Sequence, residues 1–236
     1  MPETLTIPAR FNGPPGSANG GYAAGLVAGL VGSEVASVSL RAPPPLERAL
    51  AVVRDNGGVE LRDGDTLVAE GYPDELLLDL PDPVTPADAA AASEAGREHW
   101  CAVHPFPTCV VCGPERATGD GLRVFPGELR DGVFAAEWTP DESIGDGSGF
   151  VRPECVWAAL DCPTSAPVAN FGEGPAMVLA RLTARLGCPV PVGEPHALVA
   201  WPLDVDGRKR QAACALFDSG GVLLCASRAL WIELRE

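Results

Sequence analysis

The chain has 236 residues, is 46% hydrophobic and carries a formal net charge of −15. It contains one lysine, Lys209, a balance that argues against nucleic acid or an anionic membrane as the main partner. The most apolar segment, Tyr22–Val31, is too short to cross a bilayer and is interrupted by Gly25 and Gly29.

In chain order, Leu5–Phe11 reads as a short strand. The glycine-rich run from Phe11 to Gly32 then leads into a helix with Asn19 as its N-cap. That start leaves the N–H groups of Gly20, Gly21 and Tyr22 without intrahelical partners. Gly21, Gly25 and Gly29 recur every four residues and bare one face of the helix. Interior glycine costs roughly 1 kcal/mol relative to alanine, so such a stripe implies close approach by a packed element or by a ligand chain. Val35–Leu40 alternates as a strand, Ala49–Arg54 is extended, and turns at Asn56-Gly57-Gly58 and Asp63-Gly64 flank Val59–Arg62, with Thr66–Gly71 closing a meander.

Residues 79–98 turn acidic and alanine-rich, with Thr85-Pro86 opening a connecting helix over Ala87–Arg97. The element order then repeats. Val133–Trp138 is a strand, Pro140–Gly149 a polar loop, and Arg152–Thr164 a helix with Pro153 in its first turn. Strands follow at Val178–Leu186, Ala197–Leu203, Arg210–Phe217 and Val222–Ala226, with a last piece at Leu230–Leu234. The repeat predicts an N-terminal module over 1–80, a linker over 81–124 and a C-terminal module over 125–236. An insertion is expected within residues 168–195 of the second copy.

The helix Arg152–Thr164 carries the chemical lead. Trp157, Asp161 and Thr164 share one side, with Glu154 one turn earlier, while Cys155, Val156, Ala159 and Leu160 form a core face. An aspartate in the last turn of an apolar helix sits against the dipole. Cys162 beside it points about 100° away and has no histidine in either helix to serve as its base, so it is not expected to be a nucleophile. His99, His104, Cys109 and Cys112 are zinc-ligand types, but their spacing matches no known site, and packing of the Cys-x-x-Cys-Gly turn with no bound metal is expected. The only basic cluster, Arg208-Lys209-Arg210, fits either a solvated hairpin tip or a site for phosphates.

A strand, a buried helix and a meander wrapping it resemble the hotdog fold. Asn19-Gly20-Gly21-Tyr22 is similar to that family's His-Gly-Gly helix entry. Cys109–Phe125 resembles the Cys-x-x-Cys-Gly…Gly-Leu segment of thioesterase-like members. Asp161 falls nine residues after Arg152, where phenylacetate-pathway-type thioesterases carry their acid. Two departures stand out: Arg152-Pro153-Glu154 replaces His-Gly-Gly in the second copy, and Ala28 holds the acid position of the first.

The resemblance implies an α+β double hotdog, with two antiparallel sheets each wrapping a central helix to form one pseudo-dimer, and the repeated element order predicts that the two modules share a continuous sheet. The resemblance further implies hydrolysis of an acyl-CoA or other acyl thioester, with no cofactor. The eight scattered cysteines and an opening without a basic, apolar leader predict a reduced, cytoplasmic protein, and the charge one bound to neither nucleic acid nor membrane. A homodimer of double hotdogs is admitted. Asp161 is then the general base or nucleophile, supported by Thr164 and Asn19. Gly20, Gly21 and Tyr22 supply oxyanion donors, and Trp157 a substrate wall. Asp161 lies about 12 Å along its helix from Pro153, so its donors must come from elsewhere; the resemblance implies two antiparallel helices, which would bring the open start at Gly20–Tyr22 to it. Two alternatives remain: a non-catalytic acyl-binding hotdog, and a hydratase or dehydratase, which would normally use a site histidine.

Overall fold

The computed structural model describes residues 3–169 and 176–234. Among these residues, eleven strands and three α-helices follow one another in the order the sequence requires. The strands are β1 (Thr4–Thr6), β2 (Val35–Leu40), β3 (Ala49–Asp55), β4 (Gly58–Asp63), β5 (Thr66–Pro73), β6 (Gly127–Arg130), β7 (Val133–Trp138), β8 (Met177–Leu186), β9 (His196–Asp206), β10 (Lys209–Phe217) and β11 (Leu223–Glu233). The helices are α1 (Gly20–Val31), α2 (Pro86–Val103) and α3 (Pro153–Asp161).

All the strands join one antiparallel sheet in the order β1-β3-β4-β5-β2-β8-β11-β10-β9-β7-β6. Leaving aside β6 at the outer edge, the two halves follow the same pattern: 1-3-4-5-2 in the first and 7-9-10-11-8 in the second. The halves meet where β2 pairs β8, with Val38 opposite Leu182. A sheet continuous between the two modules was expected, and hydrogen bonding does run unbroken through β2 and β8.

α1 is apolar nearly all round, as a helix enclosed by sheet and helix must be. Asn19 caps it by accepting the Tyr22 N–H at 2.9 Å, and Gly32 ends it at a φ of 71°. α3 lies antiparallel beside α1: a methyl placed on Gly21 would fall 2.4 Å from Asp161 Cβ, and one on Gly25 2.6 Å from Glu154 Cα. The glycine stripe therefore receives α3. Gly29, beyond the end of α3, meets none of the described residues.

Several boundaries differ from the sequence reading. The first strand stops at Thr6, and Ala9–Phe11 forms a 3₁₀ turn. α2 runs on to Val103, since Gly96 lies against Pro126 and Trp100 is buried, donating its indole N–H to the Pro126 carbonyl at 3.1 Å. The hairpin strand β6 was not anticipated, and the last two pieces are one strand, β11. Part of the expected insertion, residues 170–175, lies outside the described residues.

Between α2 and β6 the chain passes the start of α1. Val110 N–H bonds to the Asn12 carbonyl at 2.8 Å, and Leu122 and Val124 bond back to Val110 and Val111. These contacts carry Cys109 to the junction of the two helices.

Candidate functional site

The antiparallel helices bring the last turn of α3 to the first turn of α1. Asp161 Oδ2 accepts the Gly21 N–H at 2.8 Å and lies 3.4 Å from Asn19 Nδ2. Asn19 thus works twice: its Oδ1 caps α1 while its Nδ2 faces the carboxylate. Asp161 is 1% exposed, and its Oδ1 is buried without a partner among the described residues. Burial pushes its pKa up to about 7, partly opposed by the Gly21 N–H and reinforced by charge at Cys109. The helix N-terminus supplies a favourable dipole for the anion, which offsets part of the desolvation cost.

The other anticipated residues are placed as follows. Gly21 contributes its N–H, already taken by the carboxylate. A methyl at Gly20 would meet Leu40 and Leu179 at 3.0 Å. Tyr22 stacks on Phe11, with ring centroids 3.9 Å apart, and burial holds its phenol well above the ordinary range. Trp157 packs over Gly25, its Cβ 2.8 Å from where a methyl there would stand. Thr164, expected to support Asp161, donates its hydroxyl to the Asp161 carbonyl at 2.5 Å and accepts the Trp231 indole N–H at 2.8 Å. Glu154 sits one helix length away, 3.7 Å from Arg152. In the basic cluster, Arg208 donates to the Glu233 carbonyl and Arg210 pairs with the Glu233 carboxylate.

A second group adjoins the carboxylate. Sequence spacing assembled His99, His104, Cys109 and Cys112; the structure assembles Cys109, Cys112 and Cys162, whose sulfurs all lie within 4.8 Å of one another. Cys162 was missed because it lies 53 positions from Cys109, and its only signal was its place beside Asp161. The Cys109 and Cys162 sulfurs are 3.9 Å apart. Hydrogen bonds from the Cys112 and Cys162 thiols, and from the Cys112 and Val111 N–H groups, hold the Cys109 thiol well below its usual range. Cys112 and Cys162, as donors to it, are pushed up. His104 Nδ1 accepts the Phe106 N–H at 2.9 Å, leaving Nε2–H to donate to Cys112 Sγ at 3.2 Å.

Comparison with solved structures decides the fold. A candidate thioesterase from Novosphingobium aromaticivorans aligns over 99% of this chain and 95% of its own, with TM-score 0.63 and 14% identity. A conserved hotdog-fold protein of unknown function from Alicyclobacillus acidocaldarius aligns over 99% and 93%, with TM-score 0.60 and 12% identity. The chain has the hotdog fold. A TesB protein of Mycobacterium avium subsp. paratuberculosis shares this hotdog architecture over 98% of the chain and 91% of its own, with TM-score 0.61 and 14% identity. A thioesterase superfamily protein matches at 26% identity over 52% of the chain, which spans 61% of that protein, with TM-score 0.46. No family model and no curated protein matches the hotdog chain by sequence.

Proposed function

We propose that the chain is a double hotdog, with modules over 1–80 and 125–236 joined by a linker over 81–124, that hydrolyses an acyl thioester such as an acyl-CoA. The observation that carries this reading is the buried Asp161 carboxylate of α3 set 2.8 Å from the Gly21 N–H at the start of α1. Thioester hydrolysis needs a carboxylate to activate water or to attack, and a donor for the developing oxyanion. The two come from different helices, in keeping with the separation of about 12 Å along α3. On substrate binding the thioester carbonyl takes over the Gly21 N–H, and the released Oδ2 turns to the attacking water. Asn19 Nδ2 then steadies the carboxylate, and Trp157 holds α3 in place against Gly25. Water is the only co-reactant: Asp161 takes its proton as the new C–O bond forms and returns that proton to the thiolate as the C–S bond breaks, leaving the free acid and the thiol. The reciprocal pairing, Ala28 with the proline-blocked start of α3, supplies no acid, so one site per chain is expected.

The decisive experiment is steady-state hydrolysis across short, long and aromatic acyl-CoAs, comparing wild type with Asp161→Asn. Losing a catalytic acid or base typically costs about 10²–10⁴ in rate, with the melting temperature as folding control. Wild-type turnover in a well-folded Asp161→Asn protein would refute the assignment.

One observation favours a second reading, a non-catalytic acyl-binding hotdog: Asp161 is 1% exposed and already holds the donor that a substrate would need. Calorimetric binding of acyl-CoAs that are never turned over, unaltered by Asp161→Asn, is the outcome that selects it.

A further inference from the structure

The sulfur cluster is unexplained by thioester chemistry. A buried cysteine can serve as a small apolar group, and one such residue needs no further account. Here three sulfurs converge from two distant segments, Cys109 and Cys112 on the loop after α2 and Cys162 at the end of α3. Polar donors converge on the same sulfurs. Asn19 Nδ2 is 3.6 Å from Cys162 Sγ and 3.9 Å from Cys109 Sγ. His104 Nε2 is 3.2 Å from Cys112 Sγ, and the Val111 and Cys112 N–H groups face Cys109 Sγ. Apolar thiols have no use for such a shell, whereas metal-bound thiolates are oriented and stabilised by one.

The geometry agrees. Zinc–sulfur bonds of about 2.3 Å in a tetrahedron place sulfurs about 3.8 Å apart, and Cys109 and Cys162 stand at 3.9 Å. The Cys-x-x-Cys-Gly turn is closed tightly enough that a methyl at Gly113 would sit 2.5 Å from the Cys109 backbone. The two cysteines of the turn thereby present their sulfurs to a common point.

We propose that Cys109, Cys112 and Cys162 bind one thiophilic divalent cation, zinc by ligand type, as three thiolates. Their thiol protons leave to solvent as the metal enters. His104 does not ligate: with Nδ1 accepting the Phe106 N–H, its Nε2 carries hydrogen and donates to Cys112. A water completes the tetrahedron, the ligand count of an open zinc site. The ion ties the loop after α2 to the C-terminal end of α3, beside Asp161. This assignment stands apart from thioester turnover, since its test reads metal and not rate.

Protein purified under reducing, chelator-free conditions should contain about one zinc per chain by elemental analysis. Cobalt(II) added to the metal-free, reduced protein should give thiolate-to-cobalt charge-transfer bands and tetrahedral ligand-field bands. Cys109→Ser and Cys162→Ser should each lose the metal. Cys155→Ser, which alters a buried cysteine outside the cluster, should keep it. Should the ligand variants fail to fold, zinc content and the cobalt spectrum of the wild-type chain decide alone. Zinc-free reduced protein that yields no cobalt charge-transfer band overturns the proposal, as does a folded Cys162→Ser protein that binds metal like wild type.

Discussion

The glycine stripe of α1 makes a prediction whose sign changes along a single helix face. Gly25→Ala would place a methyl 2.6 Å from Glu154 Cα and 2.8 Å from Trp157 Cβ, so α3 must move as a backbone and not by a side-chain turn. Overpacking of this kind costs about 1–3 kcal/mol, and a backbone obstacle puts it at the upper end. Replacing glycine inside a helix returns up to about 1 kcal/mol, leaving a net loss of about 2 kcal/mol. Gly29→Ala meets nothing within 4 Å and keeps only the helix gain, about 0.5–1 kcal/mol. For a chain of this size 1 kcal/mol shifts the melting temperature by about 2–4 °C. Gly25→Ala should therefore melt about 4–8 °C below wild type, and Gly29→Ala about 1–4 °C above it. Scanning calorimetry of the three proteins at one pH is the assay. A Gly25→Ala protein as stable as wild type would mean that α3 does not pack on α1 at this distance.

Two further expectations follow from buried polar groups. Ser227 donates from β11 to the Leu160 carbonyl at 3.0 Å and is fully buried; Ser227→Ala should cost about 1–3 kcal/mol by leaving that carbonyl unpaired, checked by urea denaturation. Burial holds the His196 pKa below its ordinary value, against the raising influence of the Glu194 and Trp138 hydrogen bonds and the charges of Glu194 and Asp218. The unfolded chain then takes up a proton at His196 before the folded one does, so its contribution is complete above about pH 6.5 and is lost as pH falls. The wild-type urea midpoint should fall more than that of His196→Gln between pH 8 and 5, and parallel profiles would contradict this.

The sequence announced much of this arrangement where the signal was local. Asn19-Gly20-Gly21 fixed the start of α1, because a short polar cap before glycines leaves little else for the backbone to do. Asp161 was conspicuous as a charge in the last turn of an apolar helix; helix length sent it to a partner elsewhere, and the resemblance to an antiparallel helix pair pointed to α1. The paired element order foretold the repeated strand order on the two sides of β2 and β8. What stayed hidden depended on distant contacts. Cys162 joins Cys109 and Cys112 only because α3 ends beside the loop after α2, a fact no spacing encodes. Thr164 was legible as lying near Asp161, but not that Trp231, 67 positions later, would occupy its hydroxyl. That the continuous sheet would join through β2 and β8 in particular was not legible, since alternation reveals which face of a strand is buried but not which strand lies beside it.

The join between β2 and β8 also bears on how the chain is made. Val35–Leu40 leaves the ribosome about 150 residues before its partner β8 is complete. At about 5–20 residues per second, that edge and the bare glycine face of α1 wait roughly 7–30 s for their covers. An unpaired edge strand is a template for wrong partners, and neighbouring nascent chains on one message would offer an identical β2. Synthesis rate and chaperone supply during that interval, more than the stability of the finished protein, should govern how much of it reaches the folded state.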